Sequence, residues 1–270
     1  LSISNEYPFF VRQLIDDSSA DNNLLVTFPG VEAPVHVLRS DELTVTIDAA
    51  RGGRVLEIID NESLTNQIRL EYAMLPDLPS LPFAFGIWMK LNGQLKDSPQ
   101  EVLKATENEL VLKGTVGDLV LTRTWTLNGS ALQLDLDVVN KGSSTQKLRI
   151  DIHPEYQIGG LGESVTDVLY FPLGDRVKRL PFWSGLGEKK CQELTQNWWA
   201  ALDTSTGLGL EQTLTPKDWM PPRIWFSMGC YNIELRTRHG LQLDAGKQWS
   251  TSLSWILERG LEESTFTSRL

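Results

Sequence analysis

Residues 119–140 read LVLTRTWTLNGSALQLDLDVVN, and apolar and polar side chains alternate through most of this stretch. A period of two is typical of β-strands, because successive side chains point to opposite faces of a sheet. Asn128 and Gly129 lie at the centre, where they predict a tight hairpin turn of type I′. The stretch therefore predicts two antiparallel strands, in which Arg123 is the one polar residue on the apolar face.

The alternation extends to both sides of this hairpin. Gly117-Asp118 predicts a second hairpin turn upstream, so that three strands form a meander. The same period appears in residues 43–47, 148–152 and 249–257, whereas helical periods are short and weak. The sequence therefore predicts an all-β protein, a sandwich of large and mainly antiparallel sheets. We expect residues 1–270 to form a single domain, with residues 1–36 as a candidate N-terminal extension.

One long segment does not follow this pattern. Residues 160–199 lack clean alternation and are rich in glycine, proline and aromatic residues. We interpret the segment as long loops. Loops of this length on a rigid scaffold usually line a site.

Charge and hydropathy exclude two classes of partner. The 270 residues include 35 acidic and 25 basic ones, which gives a net charge of −10. Such a charge repels phosphate backbones, so we expect no binding to nucleic acid. The longest apolar stretches fall far short of the roughly 20 residues that span a bilayer. The sequence therefore predicts a soluble protein and indicates no particular compartment.

His153 is the first candidate for chemistry. It follows a predicted strand, on the same face as the polar Arg149 and Asp151, and Pro154 holds it in extended geometry. An imidazole at a strand end can donate or accept a proton near neutral pH. The alternative, which spacing alone favours, is a partly exposed histidine bonded to a neighbouring carboxylate.

Glu234 is the second candidate. It lies in a predicted strand over residues 231–238, on the same face as Asn232, Arg236 and Arg238. A strand fixes the direction of a carboxylate, which a general base needs in order to meet a hydroxyl proton. The alternative is a surface ladder of glutamate and arginine side chains, and nearby arginines would keep Glu234 ionised in either case.

Nine tryptophans are many for this length. Trp125 and Trp255 fit inward-facing strand positions, and six others fall in candidate loops: Trp88, Trp183, Trp198, Trp199, Trp219 and Trp225. A flat indole with a donor at its edge suits the C–H face of a sugar. The alternative, which we expect for most of this set, is packing under a loop. Three histidines nearly exclude a multi-histidine metal site, and no phosphate-binding loop is present, so we expect no metal and no cofactor.

Four segments, taken in order, resemble the galactose mutarotase-like superfamily, which includes the aldose 1-epimerases. They are residues 43–60 (LTVTIDAARGGRVLEIID), 123–142 (RTWTLNGSALQLDLDVVNKG), 148–160 (LRIDIHPEYQIGG) and 230–255 (CYNIELRTRHGLQLDAGKQWSTSLSW). The resemblance implies a supersandwich fold, with a sugar or glycan bound on the concave face of the larger sheet. His153 would match the family's general acid and Glu234 its general base. Candidate substrate-binding residues beside them are Trp88, Glu155, Tyr156 and Arg236.

The reaction that the resemblance implies is the interconversion of sugar anomers, which needs two groups in opposite protonation states and no cofactor. A second hypothesis is a noncatalytic carbohydrate-binding or accessory domain of a larger carbohydrate-active enzyme, because one fold can serve many functions. A third is a purely structural interaction domain.

Overall fold

A computed structural model describes residues 25–26, 35–68, 86–160, 164–182, 187–190, 193–227 and 230–269. Over these ranges the chain forms two large antiparallel sheets and one small sheet. The helical segments of the described chain are short: a helix α1 (Glu263–Thr267) and 3₁₀ turns at Ser164–Thr166 and Pro216–Asp218. The predicted all-β sandwich of large antiparallel sheets is confirmed.

The first sheet has ten strands within the described ranges. Nine of them are hydrogen-bonded in the order β1 (Leu25–Val26), β2 (Val35–Arg39), β3 (Leu43–Asp48), β4 (Arg54–Asp60), β6 (Ile87–Leu91), β12 (Ile150–Pro154), β19 (Cys230–Arg236), β18 (Arg223–Ser227) and β15 (Gly187–Lys190). The short β5 (Thr65–Asn66) pairs with β4. Strands that are far apart in the chain therefore meet at the centre of this sheet.

The second sheet has nine strands over the same described part of the chain. Their order is β14 (Arg176–Pro181), β13 (Asp167–Leu173), β16 (Trp198–Asp203), β17 (Leu208–Leu214), β21 (Gln248–Glu258), β10 (Ala131–Asn140), β9 (Leu119–Asn128), β8 (Glu109–Val116) and β7 (Glu101–Ala105). A separate pair is formed by β11 (Gln146–Lys147) and β20 (Gln242–Leu243). The two large sheets share one apolar core, to which both contribute alternate side chains.

The predicted meander is present as β8, β9 and β10, and Gly117-Asp118 connects the first two strands. The second hairpin differs in one detail. Asn128 pairs with Ala131, so the two loop residues are Gly129 and Ser130. Gly129 has φ 56°, and Ser130 is not among the described residues with positive φ. Glycine at the first loop position with positive φ is typical of a II′ turn, so the type I′ prediction at Asn128 was wrong by one residue.

The prediction of long loops over residues 160–199 is also wrong. Strands β13, β14 and β15 and the start of β16 lie in this segment. All seven residues of β13 and all six of β16 are buried. A strand that is covered on both faces has no need of polar side chains at alternate positions, so it lacks the alternation by which strands are recognised.

One face of β13 and β16 lies in the core between the sheets, and α1 covers the other face. Phe266 of this helix packs on Tyr170 and Trp198, on the outer side of the sheet. Leu169 and Trp199, one residue along in each strand, belong instead to the core between the sheets. Of the candidate extension 1–36, residues 25–26 lie in β1 and residues 35–36 in β2, and the remainder lies outside the described residues. None of the described helices is long and apolar enough to cross a membrane.

Candidate functional site

The candidate site lies on the outer face of the first sheet, where β12 and β19 are neighbours. Ile152 and Ile233 point into the core between the sheets, so the residues that alternate with them point outward. Asp151 pairs with Arg236 and Ile152 with Leu235. This register places His153 beside Glu234, although the two residues are far apart in the chain.

Both nitrogens of the His153 ring contact a carboxylate. Nδ1 lies 3.0 Å from Oε1 of Glu234, and Nε2 lies 2.7 Å from Oε1 of Glu155. The ring also stacks on the indole of Trp88, with centroids 4.4 Å apart and an angle of 11° between the planes. Trp88 is the residue directly opposite His153 in the pairing of β6 with β12. The imidazole is therefore held on three sides.

Asn232 joins this group from β19. Its Nδ2 lies 3.3 Å from both Nε2 of His153 and Oε1 of Glu155. Asn232 is buried, and its Oδ1 has no hydrogen-bond partner among the described residues. Glu155 is buried too, with 8% of its side chain exposed, whereas Glu234 is 27% exposed. The two carboxylates beside the ring thus differ in their access to solvent.

The contact between the ring and Glu234 favours the charged form of each group. Burial lowers the pKa of His153, but hydrogen bonds to Glu155 and Glu234 and the charges of both carboxylates outweigh burial, and the pKa is raised. The hydrogen bond from His153 lowers the pKa of Glu234 against the effect of burial, with help from the charges of Arg223 and Arg236. The surroundings of the ring therefore favour the imidazolium, and those of Glu234 favour the carboxylate.

Two arginines flank this pair. Nη1 of Arg223, on β18, lies 3.7 Å from Oε2 of Glu234, which it faces across the strands. Nε of Arg236 lies 2.5 Å from Oδ1 of Asp151, and Arg149 binds the same carboxylate through two nitrogens. Asp151 is thus occupied by arginines. Asp151 and Glu155 lie two residues before and two residues after His153. Of these two carboxylates, Glu155 is the one that contacts the imidazole.

The structure brings five of the six predicted site residues to one surface: His153, Glu234, Glu155, Trp88 and Arg236. It does not bring Tyr156 there. Tyr156 is fully buried, and its hydroxyl accepts a 2.7 Å hydrogen bond from Trp255 inside the core. Tyr156 follows Glu155 directly, so the chain turns its side chain to the opposite side of the sheet.

The tryptophans predicted in loops take different positions. Trp198, Trp199 and Trp219 are buried, as the packing alternative predicts, and Trp183 lies outside the described residues. His153 covers one face of Trp88, and the ammonium groups of Lys90 and Lys96 lie 4.9 and 4.6 Å from the centre of its ring. Trp225 is different, because 44% of it is exposed. It stands on β18 opposite Asn232, and two residues from Arg223.

Sequence reasoning missed Asn232 and Arg223 as members of this site, and it named Trp225 only as one of six tryptophans in candidate loops. Alternation does place Asn232 on the face of Glu234, but its contact with His153 depends on the pairing of β12 with β19. Arg223 and Trp225 lie on the short strand β18. Two prolines come directly before this strand, so no longer alternating pattern marks it in the sequence. Within the described ranges, no three His, Cys, Asp or Glu side chains are arranged to bind a metal ion.

Comparison with known proteins identifies the fold. No protein-family model matches the sequence, and no curated protein matches it. Among solved structures, the Slr1438 protein of Synechocystis superposes with a TM-score of 0.68 at 15% identity, over 86% of this chain and 98% of that one. A galactose mutarotase-like protein from Clostridium acetobutylicum gives 0.65 at 13% identity, over 86% and 97%. The chain therefore has the galactose mutarotase-like fold.

A similar fold is also part of a longer chain. The 4-alpha-glucanotransferase of Thermococcus litoralis matches 83% of this chain with a TM-score of 0.51 at 9% identity, but the match covers 37% of the glucanotransferase. The fold therefore occurs both alone and within a larger enzyme, and at these identities the likeness concerns the fold alone.

Proposed function

We propose that the protein interconverts the anomers of an aldose, with Glu234 as general base and His153 as general acid. One observation carries this proposal: Nδ1 of His153 and Oε1 of Glu234 lie 3.0 Å apart at a partly exposed position on the sheet, and each group raises the share of the other's charged form. General acid–base catalysis requires such a pair within hydrogen-bond reach of the substrate. The fold of the galactose mutarotase-like proteins supports the same assignment.

The closeness of the two groups suits the chemistry of an anomeric carbon. The anomeric hydroxyl and the ring oxygen are bonded to the same carbon, so the base for one and the acid for the other must act from neighbouring positions. Glu234 removes the hydroxyl proton, the C–O bond to the ring oxygen breaks, and His153 protonates that oxygen. Rotation of the resulting aldehyde, followed by the reverse transfers, gives the other anomer and restores both groups.

Binding must first separate the acid from the base. In the structure, Nδ1 of His153 and Oε1 of Glu234 contact each other directly. A sugar that places its anomeric end between them replaces this contact by two hydrogen bonds of its own. Glu234 is 27% exposed and His153 19% exposed, so both can be reached from solvent.

The proposal is tested by following freshly dissolved α-glucose and α-galactose in a polarimeter. We expect the wild-type protein to speed equilibration of at least one of them. Glu234→Gln and His153→Gln should each lower kcat/KM by about 100-fold or more, in line with the usual contribution of a general base or acid. Asp135→Asn, which alters an outward carboxylate of the second sheet, should keep the wild-type rate. Wild-type protein that leaves every common aldose at the buffer rate would contradict the proposal.

Noncatalytic glycan binding is the second candidate, and Trp225 is the observation that favours it. Its exposed indole lies beside Asn232 and Arg223, where it can stack on a sugar ring without any proton transfer. Occurrence of the fold within a larger enzyme agrees with an accessory role.

Two variants separate this function from catalysis. If binding is the whole function, Trp225→Ala removes glycan binding, Trp225→Phe keeps most of it, and Glu234→Gln leaves it intact. Tryptophan fluorescence and calorimetric titration with a panel of oligosaccharides measure all three. A protein that speeds anomer exchange and loses that rate in Glu234→Gln excludes the noncatalytic reading.

A further inference from the structure

We propose that Glu155 is a positioning residue, which holds the Nε2 side of His153 so that Nδ1 is the nitrogen that exchanges a proton with the substrate. The inference deepens the proposed function and rests on it. It assigns separate tasks to the two carboxylates beside the ring: Glu155 stays bonded to the imidazole, and Glu234 leaves it for the sugar hydroxyl.

Glu155 is fixed from several directions. Its side chain is 8% exposed, and one oxygen contacts both Nε2 of His153 at 2.7 Å and Nδ2 of Asn232 at 3.3 Å. Its backbone N–H donates to the carbonyl of Gly86 at 3.1 Å. Pro154 before it has a restricted φ, and the buried Tyr156 after it belongs to the core. The carboxylate therefore has little freedom to leave the ring.

Glu234 is held less firmly. Its side chain is 27% exposed, more than three times the exposure of Glu155. Apart from His153, the charges that act on Glu234 are those of Arg223, which is 3.7 Å away and 42% exposed, and of Arg236, whose Nε binds Asp151. A sugar hydroxyl can thus draw Glu234 away from Nδ1 at small cost. Since Trp88 stacks on the ring plane, the ring itself does not need to move.

The separate tasks of Glu155 and Glu234 determine where each proton goes during the reaction. The proposed reaction starts from the imidazolium form of His153, which has a proton on each nitrogen. Glu234 takes the proton of the anomeric hydroxyl, whose O–H electrons form the carbonyl bond. The bond between the anomeric carbon and the ring oxygen breaks, and its electron pair takes the proton from Nδ1. The neutral ring then keeps its proton on Nε2, where Glu155 accepts the hydrogen bond, and ring closure reverses each transfer. A carboxylate on the far nitrogen is a general way to fix a histidine tautomer.

Charged groups surround this site on β12 and the segment after it, on β6 and the loop that follows β6, and on β18 and β19. In the described structure, Glu155 and Glu234 contact the ring of His153 itself. Arg223 and Arg236 act on Glu234, and Lys90 and Lys96 lie over the ring of Trp88. The two carboxylates are the charges that raise the pKa of the imidazole.

The test is an NMR titration of the protein labelled with ¹⁵N in histidine, which has three such residues, His36, His153 and His239. Glu155→Gln keeps the size of the side chain and removes its charge. Asp151→Asn is the matched control, since it removes a carboxylate two residues from His153 on the other side. We expect Glu155→Gln to lower the pKa of His153 by more than Asp151→Asn does. In wild-type protein above that pKa, the proton of the neutral ring should lie on Nε2.

The activity of the same variants completes the test. If the protein is a mutarotase, Glu155→Gln should lower kcat about 10-fold and move the alkaline limb of the pH profile to lower pH, whereas a purely structural role would leave that limb in place. A neutral ring protonated on Nδ1, or equal pKa changes in Glu155→Gln and Asp151→Asn, would overturn the inference. The titration needs no activity, so an inactive wild-type protein would count against the proposed function and not against the contact of Glu155 with Nε2.

Discussion

At the scale of single residues, the surroundings of His153 matter more than its position in the sequence. Sequence reasoning placed it on the polar face at a strand end, and this is where it lies. It also weighed a histidine bonded to a neighbouring carboxylate, and the structure shows bonds to two, Glu155 and Glu234. The two interpretations are therefore compatible, because the same bonds raise the pKa of the imidazole and favour the protonated form that a general acid needs.

The charge on His153 makes its contribution to stability depend on pH. Its pKa is raised in the folded protein, so this contribution is complete below the unfolded value of 6.5 and is lost as pH rises through the folded pKa. The pKa of Glu234 is lowered from 4.5, so its contribution is complete above that value and is lost as pH falls through the folded pKa. The contributions of His153 and Glu234 to stability are both fully present between pH 4.5 and 6.5. We expect His153→Gln to lower the free energy of unfolding more in this window than at about pH 9.

Urea denaturation at several pH values measures this effect, and His36 provides the control. Burial lowers the pKa of His36 against the opposing charge of Asp48, so His36→Gln should show the reverse trend, with its greater loss at high pH. Parallel pH dependence of the two variants would contradict the charge state assigned to His153.

Arg123 is the residue that interrupts the alternation of β9, and it is the least expected member of the core. It is 2% exposed, and its Nη1 donates to the carbonyl of Gly52 at 2.5 Å. Its Nε and Nη2 have no hydrogen-bond partner among the described residues, and burial lowers its pKa to about 10. A buried charge in this state contributes little to stability.

We expect Arg123→Met, which fills the same space without charge, to change the free energy of unfolding by about 1 kcal/mol or less, or to raise it. Arg123→Ala should lower it by about 2–5 kcal/mol, because it leaves a cavity. Chemical denaturation of both variants checks the comparison. A loss in Arg123→Met as large as that in Arg123→Ala would show that the guanidinium itself stabilises the fold.

At the scale of elements, the strands with one polar face were predictable and those without one were not. β8, β9 and β10 alternate clearly, and their order, hairpins and inward residues follow from the sequence. β13 and β16 are buried on both faces, so the same rule missed them. The cause is α1, a short helix far along the chain that covers these strands. No local sequence pattern indicates that it packs there.

The cover that α1 provides should matter to stability. Phe266 is 1% exposed and packs against Tyr170, with ring centroids 5.0 Å apart, and against Trp198. We expect Phe266→Ala to lower the free energy of unfolding by about 3 kcal/mol, through lost burial and the cavity that remains. Urea denaturation measures the loss, with Thr267→Ala on the exposed side of the helix as the control. Equal stability of the two variants would mean that α1 is not part of the cooperative fold.

At the scale of the whole molecule, the site exists because two distant strands are neighbours in one sheet. Sequence alternation gave the outward direction of His153 and of Glu234 separately. Their meeting depends on β12 lying between β6 and β19, and on the register that pairs Asp151 with Arg236. Strand order and register arise from the packing of the whole sandwich, so they could be expected only through the resemblance to a known fold. The bond from Glu155 and the exposure of Trp225 depend on side-chain geometry that the resemblance does not contain.

We propose that His153 and Glu234 work as one unit at an anomeric carbon. Exchange NMR on C1-labelled glucose and galactose at anomeric equilibrium measures the rate directly, for wild-type protein, for His153→Gln, for Glu234→Gln and for the double variant. Because the two groups serve the same step, each single variant should lose nearly all of the added exchange, and the double variant should lose little more. Exchange that wild-type protein does not raise above the rate in buffer, or losses that multiply in the double variant, would contradict the claim.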